Sequence, residues 1–438
     1  MSYGAPEPLD LRANGRAMTV SDATVPVGQA AAPAAHPVRF LGADAAYWRL
    51  LIRGGFLVLC TLGIYRFWLA TDVRRFLWSN TELAGETFEY TGTARELLLG
   101  FLIALAILVP LYALLFFLTL GPEPLAGLSG VVSFLLLTFF GHYAVYRARR
   151  YRLTRTIYRG VRFHQSGSAV RYAICALFWW TLIFLTLGLV YPFAQSRLER
   201  FKMRHTFFGD LPGRFEGSGW GLFLRGIVLW LLTIVPVTFG LAATIGSVNW
   251  STVAEASRTD DITGWIERTG LAAATVLGTL TLVWTLLAAA ILYPIFQAML
   301  WRWWASGLRF GDIIVTSHLR TSQVFGVYGR FLGFSLLFTF AAGLVGAVGA
   351  YVFRLLVGDL QTVGHEVAAT AALVVFYAVV MLGYSTLYQA IVRLGLWRCL
   401  TESLDFSSLA ALERVSAAGQ ASSPVGEGLA DALNVGGI

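Results

Sequence analysis

Binding chemistry in this 438-residue chain is concentrated in short stretches that mix arginine with aromatic residues. Such stretches bind anions, because a guanidinium fork matches carboxylate and phosphate oxygens in pairs. Arg74 and Arg75 precede Phe76 and Trp78, Arg147, Arg149 and Arg150 lie between Tyr146 and Tyr151, and Arg200 and Arg204 flank Phe201. With rings at headgroup depth beside them, these seven arginines are candidate contacts for anionic lipid headgroups on the cytoplasmic leaflet. Nucleic acid is not expected, since each stretch is anchored by apolar runs that already give it a membrane. Reactive groups are scarce. Nucleophile elbow, P-loop and dinucleotide fingerprint are all missing from the sequence. His142 reads as a hydrogen-bonded residue near the end of an apolar run, and His164, His205 and His318 as solvent-facing groups without ligand spacing. Cys60, Cys175 and Cys399 also lack ligand spacing and read as reduced core residues. No catalytic residue, metal or cofactor is expected.

The elements that must position these arginines are membrane helices. Hydrophobic residues make up 57% of the chain and charged ones 13%, about half the share of a soluble domain, and the mean hydropathy is +0.66. Arginine supplies all but one of the 33 basic residues, Lys202 being the exception. Six apolar runs, at 97–120, 125–146, 226–248, 269–292, 331–353 and 367–392, are long enough to cross a hydrocarbon core of about 30 Å. They pair as hairpins, with the arginine-rich stretches between hairpins. Residues 1–38 and 416–438, rich in small and polar residues without periodicity, read as disordered tails. Between them the chain divides into a first membrane repeat at 39–168, a second at 169–330 and a C-terminal helical hairpin with a partial repeat at 331–415.

The repeat is clearest at Thr61-Leu62-Gly63 and Thr186-Leu187-Gly188, an offset of 125 that also aligns Arg75 with Arg200, Phe76 with Phe201 and Thr81 with Thr206. Weaker copies of the second half of the unit occur at 143–168, 293–322 and 384–406. Each Gly/Phe segment, such as 80–92, 205–217 and 306–317, alternates turn residues with aromatic ones and reads as a short strand pair under the bundle. Two further apolar segments, 47–65 and 172–196, carry the Thr-Leu-Gly element. If neither crosses, 30 of the 33 basic residues fall on the side of the termini, whereas if both cross the division is 18 to 15. The positive-inside rule therefore favours six spans, two re-entrant or interfacial segments and cytoplasmic termini, with eight spans as the alternative. A break at Gly63 or Gly188 would leave backbone groups unpaired at membrane depth, tolerated only where protein buries them or water reaches them. Thr61, Gly63, Thr186 and Gly188 are therefore candidate pathway residues.

The run T-L-G-I-Y-R-F-W at 61–68, R-R-F-L-W-S-N-T at 74–81 and F-E-Y-T-G at 88–92 resembles the YjgN-like family of bacterial inner-membrane proteins, a domain of unknown function. T-L-G-L-V-Y-P-F at 186–193 with R-L-E-R-F at 197–201 looks like a second copy, while Y-P-I-F-Q at 293–297 lacks the Thr-Leu-Gly. The resemblance implies a multi-span fold in a bacterial inner membrane and supplies no activity or catalytic residues. The expected architecture is an all-α polytopic membrane protein with internal repeats and short cytoplasmic strand pairs. Two functions fit it: a transporter or channel for a neutral or anionic solute, its pathway lined by the broken segments, or a non-catalytic membrane-organising or anionic-lipid-binding protein. No predicted span contains Asp, Glu or Lys, which disfavours coupling through buried carboxylates.

Overall fold

The computed structural model describes residues 36–253, 262–357, 363–419 and 422–435. The element order alternates a pair of helices with a pair of strands. Strand β1 (His36–Phe40) leads into the first pair, α1 (Asp44–Cys60) and α2 (Arg66–Ser79), and these into β2 (Thr81–Leu83), β3 (Glu86–Thr87) and β4 (Glu89–Tyr90). The second pair, α3 (Ala94–Thr119) and α4 (Glu123–Thr154), precedes β5 (Thr156–Tyr158) and β6 (Val161–Gln165). The third, α5 (Ala169–Leu185) and α6 (Tyr191–Arg204), precedes β7 (Thr206–Phe208) and β8 (Leu211–Phe215). The fourth pairs α7 (Gly219–Gly246) with α10 (Leu271–Gly307), between which lie the short α8 (Trp250–Val253) and α9 (Ile262–Thr269), and leads into β9 (Leu308–Phe310) and β10 (Ile313–Ser317). In the fifth, α11 (Thr321–Val357) is followed by α12 (Val363–Leu387), a π-helical turn (Tyr388–Arg393) and α13 (Leu394–Glu402). After β11 (Leu404–Ser407) come a 3-10 helix (Leu409–Arg414) and α14 (Val425–Ala432).

Among the described residues six helices are long and apolar enough to cross a membrane, and they coincide with the six predicted runs to within two residues at the ends where a run extends past its helix. At 1.5 Å per residue the 37 residues of α10 extend about 55 Å, so it outruns a core of about 30 Å. The surplus carries the Trp-Arg-Trp-Trp segment at 301–304. By contrast the 17 residues of α1 and of α5 reach only about 25 Å. The starts of α3, α5 and α7 are encoded by a glycine followed by a capping hydroxyl. Thr93 forms a capping box with Glu96 at the start of α3, and Ser168 and Ser218 accept from Arg171 N and Gly221 N at the starts of α5 and α7.

The strand pairs expected from the Gly/Phe segments are present, but they are not separate. They form one antiparallel sheet in the order β3-β2-β1-β11-β10-β9-β8-β7-β6-β5-β4. Its two ends, β3 and β4, are consecutive parts of one extended stretch with Phe88 between them, so the sheet closes into a ring. Closure leaves no edge to pair with another chain. The last gap is filled by the two ends of the chain, with β1 pairing β11 at His36↔Phe406 and β2 at Phe40↔Thr81. Val38, Leu83, Tyr158 and Phe208 are buried in one cluster, with Phe310 and Phe406 packed against them. Side chains from strands all around the ring meet only if they face a common interior, so the ring is filled by aromatic and aliphatic residues. Phe88, Phe163, Phe310, Phe215 and Tyr90 are all packing residues.

Both predicted tails need correction at their inner ends. His36–Val38 belongs to β1, held by the ladder on both sides, while residues 1–35 lie outside the described residues. The segment 416–438 contains α14, whose residues Gly426–Ala430 are buried against α3 and α4. Glycine makes this docking possible: a Cβ on Gly428 would lie 1.8 Å from the Gly100 carbonyl carbon. Cys60 and Cys175 also depart from expectation, since both are exposed on their helices.

Candidate functional site

The second helix of each pair delivers side chains to the ring axis in a fixed register, counted back from the first strand residue. Seven residues before Thr81, Thr156, Thr206, Leu308 and Leu404 stand Arg74, Arg149, Glu199, Trp301 and Trp397. Six residues before them stand Arg75, Arg150, Arg200, Arg302 and Arg398. On a helix adjacent positions point about 100° apart, and the two sets do different work.

The six-back arginines hold the joint between strand and following helix. Arg75 donates to Gly92 O at 3.0 Å, Arg200 to Gly217 O at 3.2 Å, Arg302 to Leu319 O at 3.1 Å and Arg398 to Gly42 O at 2.9 Å. Arg150 donates to Gly167 O in the same way. These carbonyls lie where the chain leaves a strand and no ladder partner remains, so the guanidinium satisfies an acceptor the sheet cannot. Of the seven arginines read as headgroup contacts, Arg75, Arg150 and Arg200 are committed to this task. Arg74 is 7% exposed and turned inward, Arg147 and Arg149 are half-buried, and Arg75 and Arg204 are exposed.

Four of the seven-back residues, Arg74, Glu199, Trp301 and Trp397, face a chamber on the axis, and Arg149 lines neither of its lobes. Its larger lobe, about 1010 Å³, is walled by α6, α10 and the π-helical turn with α13, and Gln195, Glu199, Gln297, Trp301, Arg393 and Trp397 line it. A smaller lobe of about 400 Å³ is walled by α1, α2, α12 and α14, and Arg74 and Glu427 line it. Gln389, Arg393 and Asn434 line both lobes. The π-helical turn carries Gln389 and Arg393, and such turns are frequent at functional sites because one extra residue re-aims the side chains.

Charge around the axis is unbalanced. Arg74 pairs with the Glu427 carboxylate and donates to Tyr90 OH at 3.1 Å. Burial pulls the Arg74 guanidinium toward the neutral form, but Glu427 and Tyr90 outweigh it and raise its pKa above the ordinary value. Arg152 reaches the other Glu427 oxygen at 3.7 Å. Arg149 donates to Gln165 Oε1 at 3.2 Å and Thr206 Oγ1 at 2.8 Å. Lys202 pairs with Glu199, whose other oxygen accepts from Trp304 Nε1 at 3.2 Å. Arg393 has Arg74 and Arg152 as electrostatic neighbours, and its buried Nε has no hydrogen-bond partner among the described residues. Tyr47, whose hydroxyl is likewise unpartnered, is pushed up to about 12 by burial, with Arg393 pulling the other way. With Arg66 and Asp431, which pair in the wall of the smaller lobe, six cations therefore stand at or beside the chamber against three carboxylates, Glu199, Glu427 and Asp431.

The Thr-Leu-Gly turns lie elsewhere. Gly63 N donates to Val58 O at 2.8 Å and Gly188 N to Ile183 O at 2.7 Å, closing a Schellman-type turn. Thr61 Oγ1 donates to Leu57 O at 2.7 Å and accepts from Tyr65 N at 2.9 Å, and Thr186 Oγ1 does the same with Leu182 O and Val190 N. The glycines, at φ +93° and +90°, supply the left-handed step. Each turn thus satisfies its own backbone, which removes the reason for placing water there. Thr61, Gly63 and Thr186 line neither lobe of the axial chamber, Leu62 is 95% exposed, and Gly188 lines an apolar groove with Trp230 and Leu222. Among the histidines, His318 is exposed and pairs with Asp405 at 3.1 Å, His164 stacks on Phe207, His205 Nδ1 donates to Phe201 O at 2.8 Å, and His142 lies against Trp180.

Sequence reasoning missed Glu427, Arg393 and the glutamines. A signal for the register existed: the spacing of 17 from Arg75 to Gly92, Arg150 to Gly167 and Arg200 to Gly217 is readable from the chain and marks which arginines are structural.

Residues 35–432 match a family described as bacterial protein of unknown function, DUF898. The curated inner membrane protein YjgN of Escherichia coli O157:H7 is 26% identical over 171 residues, 39% of this chain and 40% of that protein. The matched stretch thus spans about two fifths of that relative's length. No solved structure matches the chain.

Proposed function

Given that this chain belongs to the bacterial family of unknown function DUF898, we propose that it is a multi-pass inner-membrane protein that binds an anionic solute in its axial chamber and carries it. It is not an enzyme in this reading. The observation that supports it is the excess of six cations over three carboxylates at and beside the chamber. Buried charge is costly unless compensated, and a negatively charged ligand compensates it. The helix pairs and strand pairs arose by duplication. The second, fourth and fifth pairs cross the membrane, and the first and third enter it from the ring side without crossing. Counted along the sequence with only the six long helices crossing, 30 of 33 basic residues fall on the side of the termini, which supports cytoplasmic termini and a cytoplasmic ring.

The pathway is axial and does not use the Thr-Leu-Gly turns. The test is uptake of radiolabelled monovalent and divalent organic anions and of a neutral amide into vesicles carrying the purified protein. Saturable uptake of an anion, absent from empty vesicles and lost in Arg393→Gln, supports the reading, and equal handling of the amide overturns it. Binding of anionic lipid is a second reading, favoured by the exposed Arg204 at the end of α6. It requires that Arg204→Gln lower the retention of anionic phospholipid through purification.

A further inference from the structure

Around Arg393 the walls of the larger lobe have a composition that suits neither an inorganic anion nor a simple acyl chain. Trp301, Trp304, Trp397 and Tyr388 line it, and two of these indoles are fixed through their N–H groups. Trp304 Nε1 donates to Glu199 Oε2 at 3.2 Å and Trp397 Nε1 to Thr81 Oγ1 at 3.1 Å. An indole held by its nitrogen presents a rigid face, which is a surface for stacking. Gln297 is oriented as well, because its Oε1 accepts from Tyr328 OH at 2.6 Å, leaving its N–H groups as donors toward the lobe.

The other cations of the axis are engaged. Glu427 serves Arg74 and Arg152, Glu199 serves Lys202, and Gln165 and Thr206 serve Arg149. Arg393 has no carboxylate partner among the described residues, and its buried Nε has no hydrogen-bond partner there. It also stands on the π-helical turn, between the two lobes.

A guanidinium without a counter-ion, flat aromatic walls and amide donors, in about 1010 Å³, form a built site for a drug-sized ligand. Resting on the anion reading above, we infer that the ligand of the larger lobe is an organic monoanion with a planar apolar body, its acid group on Arg393 and its rings between the tryptophans. The smaller lobe, whose Arg74 is already neutralised by Glu427, accepts no second anion.

The test uses the full chain in lipid nanodiscs, titrated by calorimetry with 2-naphthoate, 2-naphthamide, decanoate and sulfate, with empty nanodiscs subtracted. 2-Naphthoate should bind at one site per chain, and 2-naphthamide about tenfold or more weaker, as loss of a charge-assisted contact requires. Arg393→Gln should weaken 2-naphthoate about tenfold while Arg393→Lys restores part of the loss, and Trp301→Leu should weaken 2-naphthoate and leave sulfate unchanged. Sulfate or decanoate binding as tightly as 2-naphthoate, through Arg393, overturns the planar organic ligand and leaves the anion reading standing. Decanoate would then point to a lipid-derived acid. If no anion binds, or binding survives Arg393→Gln, both readings fall. Variants that lose more than a few degrees of thermal midpoint are replaced by Gln389→Leu, on the same turn, for which the same dependence on ligand is expected.

Discussion

Glu427 and Asp431 stand one turn apart on α14, and burial gives them opposite weights. Glu427 is 4% exposed and holds Arg74 and Arg152 from two different helix pairs. Its replacement by Gln leaves buried guanidinium charge uncompensated, and a loss of roughly 3–5 kcal/mol is expected, read as a lower midpoint in thermal unfolding. Asp431 pairs with Arg66 at 2.8 Å where both side chains are 45% exposed, and its pKa is raised, by burial first, against the pull of Arg66. A carboxyl raised on folding contributes stability below its unfolded pKa and loses that contribution as pH rises through the folded value. At neutral pH Asp431→Asn should therefore change stability by no more than about 1 kcal/mol. For the six-back arginines, Arg200→Gln removes a charged hydrogen bond to Gly217 O and should cost roughly 1.5–3 kcal/mol, measured by denaturation in detergent, with anionic-lipid retention unchanged. Arginine identity was legible in the sequence, but its role was not. Arg74 and Arg75 are neighbours of the same type, and only the direction each takes from the helix decides which is a clamp and which faces the axis.

The paired helices and strands were largely legible as elements. Runs of 20 or so apolar residues announce membrane helices, and glycine turns between alternating aromatic residues announce strand pairs. Helix α14 was not legible, because V-G-E-G-L-A-D-A has too little apolar surface to signal a core helix. Its docking depends on glycines that let backbones touch, Gly428 against Gly100 and Gly426 against Arg147, partners more than two hundred and seventy residues apart. Gly428→Ala should accordingly undock α14 although alanine is the better helix former, since the added carbon would lie 1.8 Å from the Gly100 carbonyl carbon. The expected result is rapid labelling of a cysteine placed at Ala430, buried in the parent protein, and no labelling is the opposite outcome. The Thr-Leu-Gly motif was found by its spacing, but that its backbone groups are satisfied was not legible, because an isolated glycine in an apolar run looks like a break. Only the hydrogen bonds of Thr61, Thr186 and the Schellman closure show it to be a finished turn.

At the scale of the molecule, ring closure was beyond the sequence, since which strand pairs with which is decided by the helices that carry them. Closure by β1 against β11 and β2 makes a prediction of its own. Deletion of residues 1–40 should leave two open edges and yield aggregated protein on size exclusion, whereas deletion of residues 1–35 should leave a monodisperse species. The same closure also imposes an order on biogenesis. β1 is among the first described segments to be translated, and its partner β11 begins at Leu404, after all six membrane-spanning candidates. At about 5–20 residues per second the first strand waits roughly 20–70 s for that partner, and α14, with the carboxylate that neutralises Arg74, is made later still. Until α14 is made the smaller lobe lacks a wall and Arg74 its carboxylate, so the chamber is completed only after all six long apolar helices have been synthesised.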